Sequence, residues 1–453
     1  MKRILSLAVA GALLLAGCAG PQGDPGKGSL SRVALAEPAY PDFPRQPQLP
    51  EEFDEKEWEE YSQAYDKYMD ALVALRGENA GVTEGERAAL TAFAAGSTPL
   101  VLKEGTAENA VYSPLSLWSA LAMLAQCAEG GSRQQVLDAL GADSVEQLRE
   151  QVSRIWRKLY TDDGQSALIL ANSIWLNSGL EGNYVQDTLD VLAQKYFAGA
   201  YAVPMGSPEA DQAVTSWVKE QTNGLIGGDS PVVQTKAETL ALLASSLYYK
   251  AAWQDKFNAD RTEEDTFTDA AGKESRAEFM HKTQDANFIR RDGWQAAALS
   301  NHLGEMVFVL PDEGTSPESL LRDPDFLSRL EFYGDAASWG EVRWSVPKFD
   351  VSSDLDLMDA LKSMGITDLP DRDRADLSAL TDLDAFLSDA KQLARVKVDE
   401  EGVEAAAVTV LGLAGAGAPP EDPEICVMDL DRPFLFLIRT QDVPLFIGIV
   451  NQV

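Results

Sequence analysis

Several runs of this chain are patterned to lie in sheets, and the long connections between them limit the folds it can adopt. They read "ALILANSIWLN", "LALLASSLYYKAAW", "EMVFVLP", "EVRWSVPKFDV", "ARVKVDEEGVEAAAVTV", "FLFLI" and "PLFIGIVNQV". Several have alternating or fully apolar faces, and helical stretches fall among them without regular β-α-β alternation. No repeat of roughly 20 to 50 residues is evident. This mixture predicts an α+β domain with large, mostly antiparallel sheets. With 453 residues, 45% of them hydrophobic, the chain can build a substantial core, so disorder throughout is excluded.

The flanking segments divide the chain. "MKRILSLAVAGALLLAGC" has two cations, an apolar segment from Ile4 to Leu15, and small residues before Cys18. It reads as an export signal over 1–17, too short for a permanent span. It also resembles a bacterial lipobox, which would make Cys18 the lipidated first residue of an exported protein held on a membrane or cell surface. Residues 18–50 are rich in Gly and Pro with no hydrophobic period, and read as a tether. In 51–82, Trp58, Tyr61, Tyr65, Tyr68, Leu72 and Leu75 recur at helical spacing, and Arg76-Gly77 suits a helix end. That amphipathic helix is expected to dock on the main body. The body, 83–453, starts at "TEGE", where Glu86 follows a candidate N-cap Thr83 by three residues.

Charge and motifs exclude several functions. A formal net charge of -34 repels nucleic acid and anionic membrane surfaces, so a lipid anchor is the one membrane contact expected. Two histidines, His281 and His302, lie outside any H-E-x-x-H pattern and read as surface or structural residues. No G-x-S-x-G elbow, phosphate-binding loop or paired-cysteine zinc spacing occurs, so no catalytic residue, metal or cofactor is expected. The 72 carboxylates make clusters such as Asp399-Glu400-Glu401 expected by chance. Cys127 and Cys426 read as separate buried thiols, with a disulfide between them the alternative in an exported protein.

One stretch does not fit an acidic surface. From Glu400 the chain reads "EEGVEAAAVTVLGLAGAGAPP", and after Glu404 roughly fourteen residues pass without a charge. Written as a strand, one face carries Val403, Ala405, Ala407, Thr409, Leu411 and Leu413, all able to be buried. The other carries Glu404, Ala406, Val408, Val410, Gly412 and Ala414. Gly412, Gly415 and Gly417 impose little local structure, and Pro419-Pro420 would stop a strand. The same residues therefore suit a sheet or an exposed loop.

At this point the chain resembles the serpins over roughly 83–453. The matching pieces come in family order: "NAVYSPLSLWSALAMLAQCAEGGS", "VTSWVKEQTNGLI", "SLYYKAAWQDKF", "VPKFDV", "DEEGVEAAA", "DRPFLFLI" and "PLFIGIV". The resemblance implies the serpin fold, with about nine helices and an exposed reactive loop. It also implies a suicide inhibitor: a serine protease, or a cysteine protease by the same chemistry, cuts the loop, and the loop inserts as a new strand while the acyl-enzyme is trapped. Counting from the family hinge, Glu400, Glu401, Gly402, Val403, Glu404, Ala405, Ala406 and Ala407 form the hinge, and Ala416-Gly417 is the reactive bond, within one or two residues. Small residues there suit an elastase- or subtilisin-like target. Val403 replaces the usual Thr or Ser, and Ser245 and Gln392 replace the usual Asn and His of the sheet-opening region, where Ser113 and Ser116 remain. The expectation is a monomeric, surface-anchored inhibitor of extracellular serine proteases; the alternative is a non-inhibitory serpin acting as a binding protein or protease substrate.

Overall fold

The computed structural model describes residues 30–38, 40–48, 54–77, 81–103, 108–228, 230–334, 336–403 and 424–453. Two sheets carry it. The first has eight strands, in the order β1 (Ala34–Ala36), β5 (Ala198–Val203), β4 (Ala167–Asn177), β6 (Ala241–Ala252), β14 (Gly402–Val403), β13 (Lys391–Val398) and β12 (Phe349–Asp356), with β3 (Thr161–Asp162) on β4. The second has nine, in the order β15 (Glu424–Asp429), β11 (Ser338–Pro347), β8 (Glu274–Arg291), β9 (Trp294–Ser300), β10 (Glu305–Pro311), β16 (Phe434–Thr440), β17 (Val443–Val450) and β2 (Ala110–Tyr112), with β7 (Thr262–Thr268) on β8. Among the described residues only β4–β5 and β11–β15 pair in parallel. The long apolar runs account for this: β4, β16 and β17 are buried along nearly their whole length.

Nine α-helices pack around and between the sheets among the described residues. They are α1 (Glu55–Arg76), α2 (Glu84–Val101), α3 (Pro114–Cys127), α4 (Gly130–Leu140), α5 (Val145–Leu159), α6 (Gln186–Lys195), α7 (Pro208–Gln221), α8 (Pro317–Leu320) and α9 (Met358–Ser363). Helix α3 sits deepest, with 13 of its 14 residues buried between β6 and β17. A helix apolar on every side has to be enclosed, and this one is. Its start is fixed locally: the Ser113 hydroxyl accepts from the Ser116 backbone N–H, and Pro114 occupies the first turn. Helix α2 opens with the expected reciprocal cap between Thr83 and Glu86. Glu86 also meets Arg154 and Lys158 of α5, each at 3.1 Å, which ties the two helices together. Burial works against its charge, but bonds from the Thr83 N–H, Lys158, Arg154 and the Thr83 hydroxyl hold its pKa at about 2.

The described part of 18–50, the segment expected to act as a tether, packs on the body. Ala34–Ala36 add a strand at the edge of the first sheet, antiparallel to β5, and Leu30 is buried. Tyr40 stacks on Trp156 and Tyr160 at 5.4 and 5.7 Å between ring centroids, and Phe43 meets Tyr160 edge-on at 5.9 Å. A three-residue strand has no period to read, and the aromatic surface that receives Tyr40 lies more than a hundred residues away in sequence, so tertiary contact overrides local composition. Helix α1 docks through its C-terminal half. Arg76 Nη2 donates to the Tyr160 carbonyl at 3.0 Å and to the Thr161 hydroxyl at 2.8 Å, and the Tyr68 hydroxyl donates to Asp163 at 3.4 Å. Its first turns stay in solvent, with Trp58 and Tyr65 exposed.

Candidate functional site

The site is built where the first sheet comes apart. Strands β6 and β13 run side by side, and at their upper ends the two-residue strand β14 pairs with both. Gly402 faces Ala252, and Val403 faces Ala251 on one side and Val398 on the other. Beyond Val403, among the described residues, no backbone bond joins β6 to β13. Val403 is 2% exposed and points to the same interior as Ala251 and Val398, the face assigned to it from sequence. Gly402 is needed for the close approach, since a Cβ there would run into the Ala251 carbonyl and Ala252 Cα.

The turn from β13 into β14 is tied down by both backbone and charge. Asp399 N–H donates to the Gly402 carbonyl at 3.1 Å, and Glu401 N–H donates to the Asp399 carboxylate at 3.0 Å. The carbonyls of Asp399, Glu401 and Glu400 accept from Trp253 Nε1, Trp253 N and Phe257 N at 3.0, 3.0 and 3.2 Å. Glu401 pairs with Lys256 at 2.6 Å. Glu400 accepts from the Thr262 hydroxyl at 2.9 Å and lies 3.4 Å from Lys348, which also reaches Glu278 at 3.2 Å. Burial opposes the charge on Glu400, but its backbone N–H, Thr262 and Lys348 outweigh it and hold the carboxyl below its usual range. Burial likewise opposes the charge on Lys348, and Glu278 with Glu400 raises its pKa regardless. Sequence reasoning used Trp253 and Lys348 only as parts of motifs; their nearness to the hinge was carried by no local signal.

Lower down, the four residues expected to act in sheet opening divide into two groups. Ser113 and Ser116 hydroxyls lie 3.1 Å apart at the start of α3. Gln392 on β13 reads the same helix end with both amide atoms, accepting from Ser113 N–H at 2.7 Å and donating to the Ser113 carbonyl at 2.9 Å. Ser245 stands across the gap on β6, paired in register with Asn172 of β4, and no hydrogen bond joins it to Gln392. Cavities flank the separated strands. One of about 100 Å³ lies on the α3 side, lined by Leu121, Leu124, Leu243, Leu361, Phe386 and Ala390 among others. A second of about 90 Å³ lies on the α7 side, against Trp217, Val218, Ile226, Leu242, Ala244 and Leu393. Both are lined mainly by apolar side chains, with Asp389 and Lys391 shared between them, so a hydrophobic strand could gain burial on both faces.

Glu404, Ala405, Ala406, Ala407, Ala416, Gly417 and Cys18 lie outside the described residues. Cys127 and Cys426 are free and buried, and burial raises their thiols to about 12 and about 11. Among the described residues no group of three or more His, Cys, Asp or Glu could hold a metal, and no helix is long and apolar enough to cross a membrane.

Comparison with known proteins places this architecture. A family model described as Serpin (serine protease inhibitor) matches residues 88–453. Serpin-Z2B of Triticum aestivum is 30% identical over 368 residues, 77% of this chain and 91% of that protein. A protein named "Serine protease inhibitor" from Cyanea capillata is 27% identical over 360 residues, 76% and 92% of the two chains. The native state of the thermophilic serpin Tengpin aligns with a TM-score of 0.72 at 27% identity, covering 82% of this chain and 95% of that one. With a family model spanning the whole body and two sheets arranged as in solved serpins, the chain belongs to the serpin family, whose members are in general protease inhibitors rather than catalytic enzymes.

Proposed function

We propose that this chain is a surface-anchored suicide inhibitor of extracellular serine proteases that favour small residues, offering Ala416–Gly417 or a bond one or two positions away. The protease serine attacks the Ala416 carbonyl carbon, and the bond to the Gly417 nitrogen breaks. Gly417 leaves as a new amino terminus, and the ester to Ala416 remains. The released segment then extends β14 between β6 and β13, carrying the protease with it. A fourteen-residue strand at ~3.3 Å per residue spans about 46 Å, enough to draw the protease far across the body. Strand insertion of this kind is an established serpin behaviour and serves as a general example of β-strand addition.

The observation that carries this reading is that β6 and β13, among the described residues, are joined only through Gly402 and Val403. Continuing those two registers gives each later residue a defined neighbour on either side. Glu404, the segment's lone charge, comes between Lys250 and Lys397. Thr409, its one hydroxyl, comes between Ser245 and Gln392. Val408 and Val410 reach the cavity under α7, while Leu411, opposite Leu243 and Ala390, and Leu413, opposite Ala241, reach the cavity beside α3. Glu404 and Thr409 thus meet polar partners, while the branched residues reach the two cavities beside neighbours of mixed character, Ser246 and Leu393 for Val408, Ala244 and Lys391 for Val410; a one-residue slip would turn every side chain to the other face. Cys18 supplies the lipid anchor, and the protein acts as a monomer with no other membrane contact.

The test is incubation with pancreatic elastase followed by denaturing electrophoresis. A band at the summed mass of the two proteins is expected. Clipped product alone would refute inhibition and leave a protease substrate.

A further inference from the structure

We infer that the outer face of β11 and β15 is a second docking surface for the attacking protease, centred on Trp339; the inference rests on the inhibitory reading above. On these two parallel strands Val342, Trp344, Cys426 and Met428 point inward, which turns Trp339, Ile425 and Val427 outward, exposed by 56%, 41% and 48%. Trp339 is diagonal to Ile425 on this face, within reach for an aromatic ring. Between them run Glu341 and Arg343, which pair with each other at 2.6 Å and leave the patch without net charge. In a chain of formal net charge -34, a neutral apolar patch headed by a tryptophan is an unusual piece of surface.

The position of the patch selects its occupant. Chain outside the described residues rejoins the body at Glu424, next to Ile425. Six residues lie between Gly417 and Glu424, a span of seven steps, so the bond offered to the protease is held within about 25 Å of this point at ~3.6 Å per step. A protease of ~220 residues has a radius of gyration of about 17 Å, so its body overhangs the end of β15 while its active site holds the loop. Addition of another chain as a strand is hindered here, because the Ile425 carbonyl already accepts from Arg290 and the Val427 carbonyl from Gln295, while Arg290 also pairs with Glu424 at 2.8 Å. What remains open is the face, and a large aromatic presented on a rigid strand is the kind of group that anchors an interface.

The test compares wild type with Trp339→Ala and, as an independent probe of the same face, Val427→Lys. The measured quantity is the second-order rate at which pancreatic elastase and subtilisin consume the intact chain, counting trapped complex and clipped product together. About a tenfold slower rate is expected for Trp339→Ala with at least one protease. The division between complex and clipped product and the melting temperature should stay unchanged, since neither residue faces the gap between β6 and β13. Rates within twofold of wild type for both variants and both proteases overturn the docking surface. So does a wild-type dimer that either variant dissociates, which would make a second copy of the chain the occupant. If wild type yields only clipped product, the inhibitory reading fails while the cutting rate still reports on docking.

Discussion

Leu411→Ala separates insertion from every other account of the loop. By the register set at Val403, Leu411 comes opposite Leu243 and Ala390, both of which line the cavity of about 100 Å³ on the α3 side. By the same register Leu413 fills part of that space, so the void left costs at most about 2.4 kcal/mol at ~24 cal/mol per Å³, and the lost transfer of the side chain adds about 2 kcal/mol. The clipped form should therefore lose up to about 4 kcal/mol. For a body of ~370 residues, an unfolding entropy of ~2.1 cal/mol/K per residue gives about 0.8 kcal/mol per degree, so the clipped variant should melt as much as ~5 °C below clipped wild type. The intact variant should match intact wild type within about 1 °C, because Leu411 has not entered the sheet. Scanning calorimetry on all four species, clipped with elastase, reads this directly. Equal melting of the two clipped forms would remove Leu411 from the sheet, and a clipped wild type melting no higher than the intact chain would refute insertion altogether.

Other outcomes follow from the same geometry. Val403→Arg forces a charge into a position that is 2% exposed, so it should lower the intact melting temperature as well as shift elastase reactions toward clipped product; a normal yield of complex would contradict the burial of this position. Glu400 has a depressed folded pKa, so the stability it contributes is present above its unfolded value of ~4.3 and is lost as pH falls through the folded value. The urea midpoint of Glu400→Gln should thus lie below wild type at pH 7 and converge with it in acid, and a gap independent of pH would argue against the Thr262 and Lys348 contacts. Gln392→Leu leaves the Ser113 N–H without its partner in a buried setting, while the Ser113 carbonyl keeps the Leu117 N–H at 3.2 Å, and should cost about 1–3 kcal/mol by urea unfolding; a neutral result would place water there. Glu404→Lys would put a third cation beside Lys250 and Lys397 and should raise the clipped fraction, with Lys250→Glu restoring complex; no change in either would break the proposed register.

How much of this was legible depended on the range of each interaction. Strands β4 and β10 and the cap of α2 were readable because period, branching and capping residues act within a few positions: the run from Ala167 to Asn177 is one strand end to end, and Thr83 with Glu86 closes its own helix. Strand β1 was not readable, since its three residues pair with an edge supplied by Ala200 and Tyr201. The hinge partners were hidden for the same reason. Lys348, Thr262 and Lys256 reach Glu400 and Glu401 across 52 to 145 residues of sequence, and nothing near any of them advertises the contact. Ser245 illustrates a different limit. The family resemblance groups it with Gln392, yet the two stand on opposite sides of a separation, so whether they touch depends on the spacing of the strands and cannot be written into either residue alone.

Under the insertion proposed above, the blandness of 405–418 has a physical cause. A segment that must be soluble outside and buried inside cannot carry charge along its length, because each ion taken from water costs several kcal/mol unless it is paired. It cannot be uniformly bulky either, since Ala405 would come between Tyr249 and Val396, and Ala407 between Leu247 and Ala394, where the interior is already occupied by core side chains. Bulk is admitted where the walls leave room, at Val408, Val410, Leu411 and Leu413. Charge is admitted once, at Glu404, on the side of the sheet where Lys250 and Lys397 stand ready on the two neighbouring strands. A sequence selected only to be cut would need the right residues at the scissile bond and solubility elsewhere. Under the proposed insertion, this one brings Glu404 and Thr409 beside polar neighbours and its branched residues beside the two cavities, a pattern that being cut does not require.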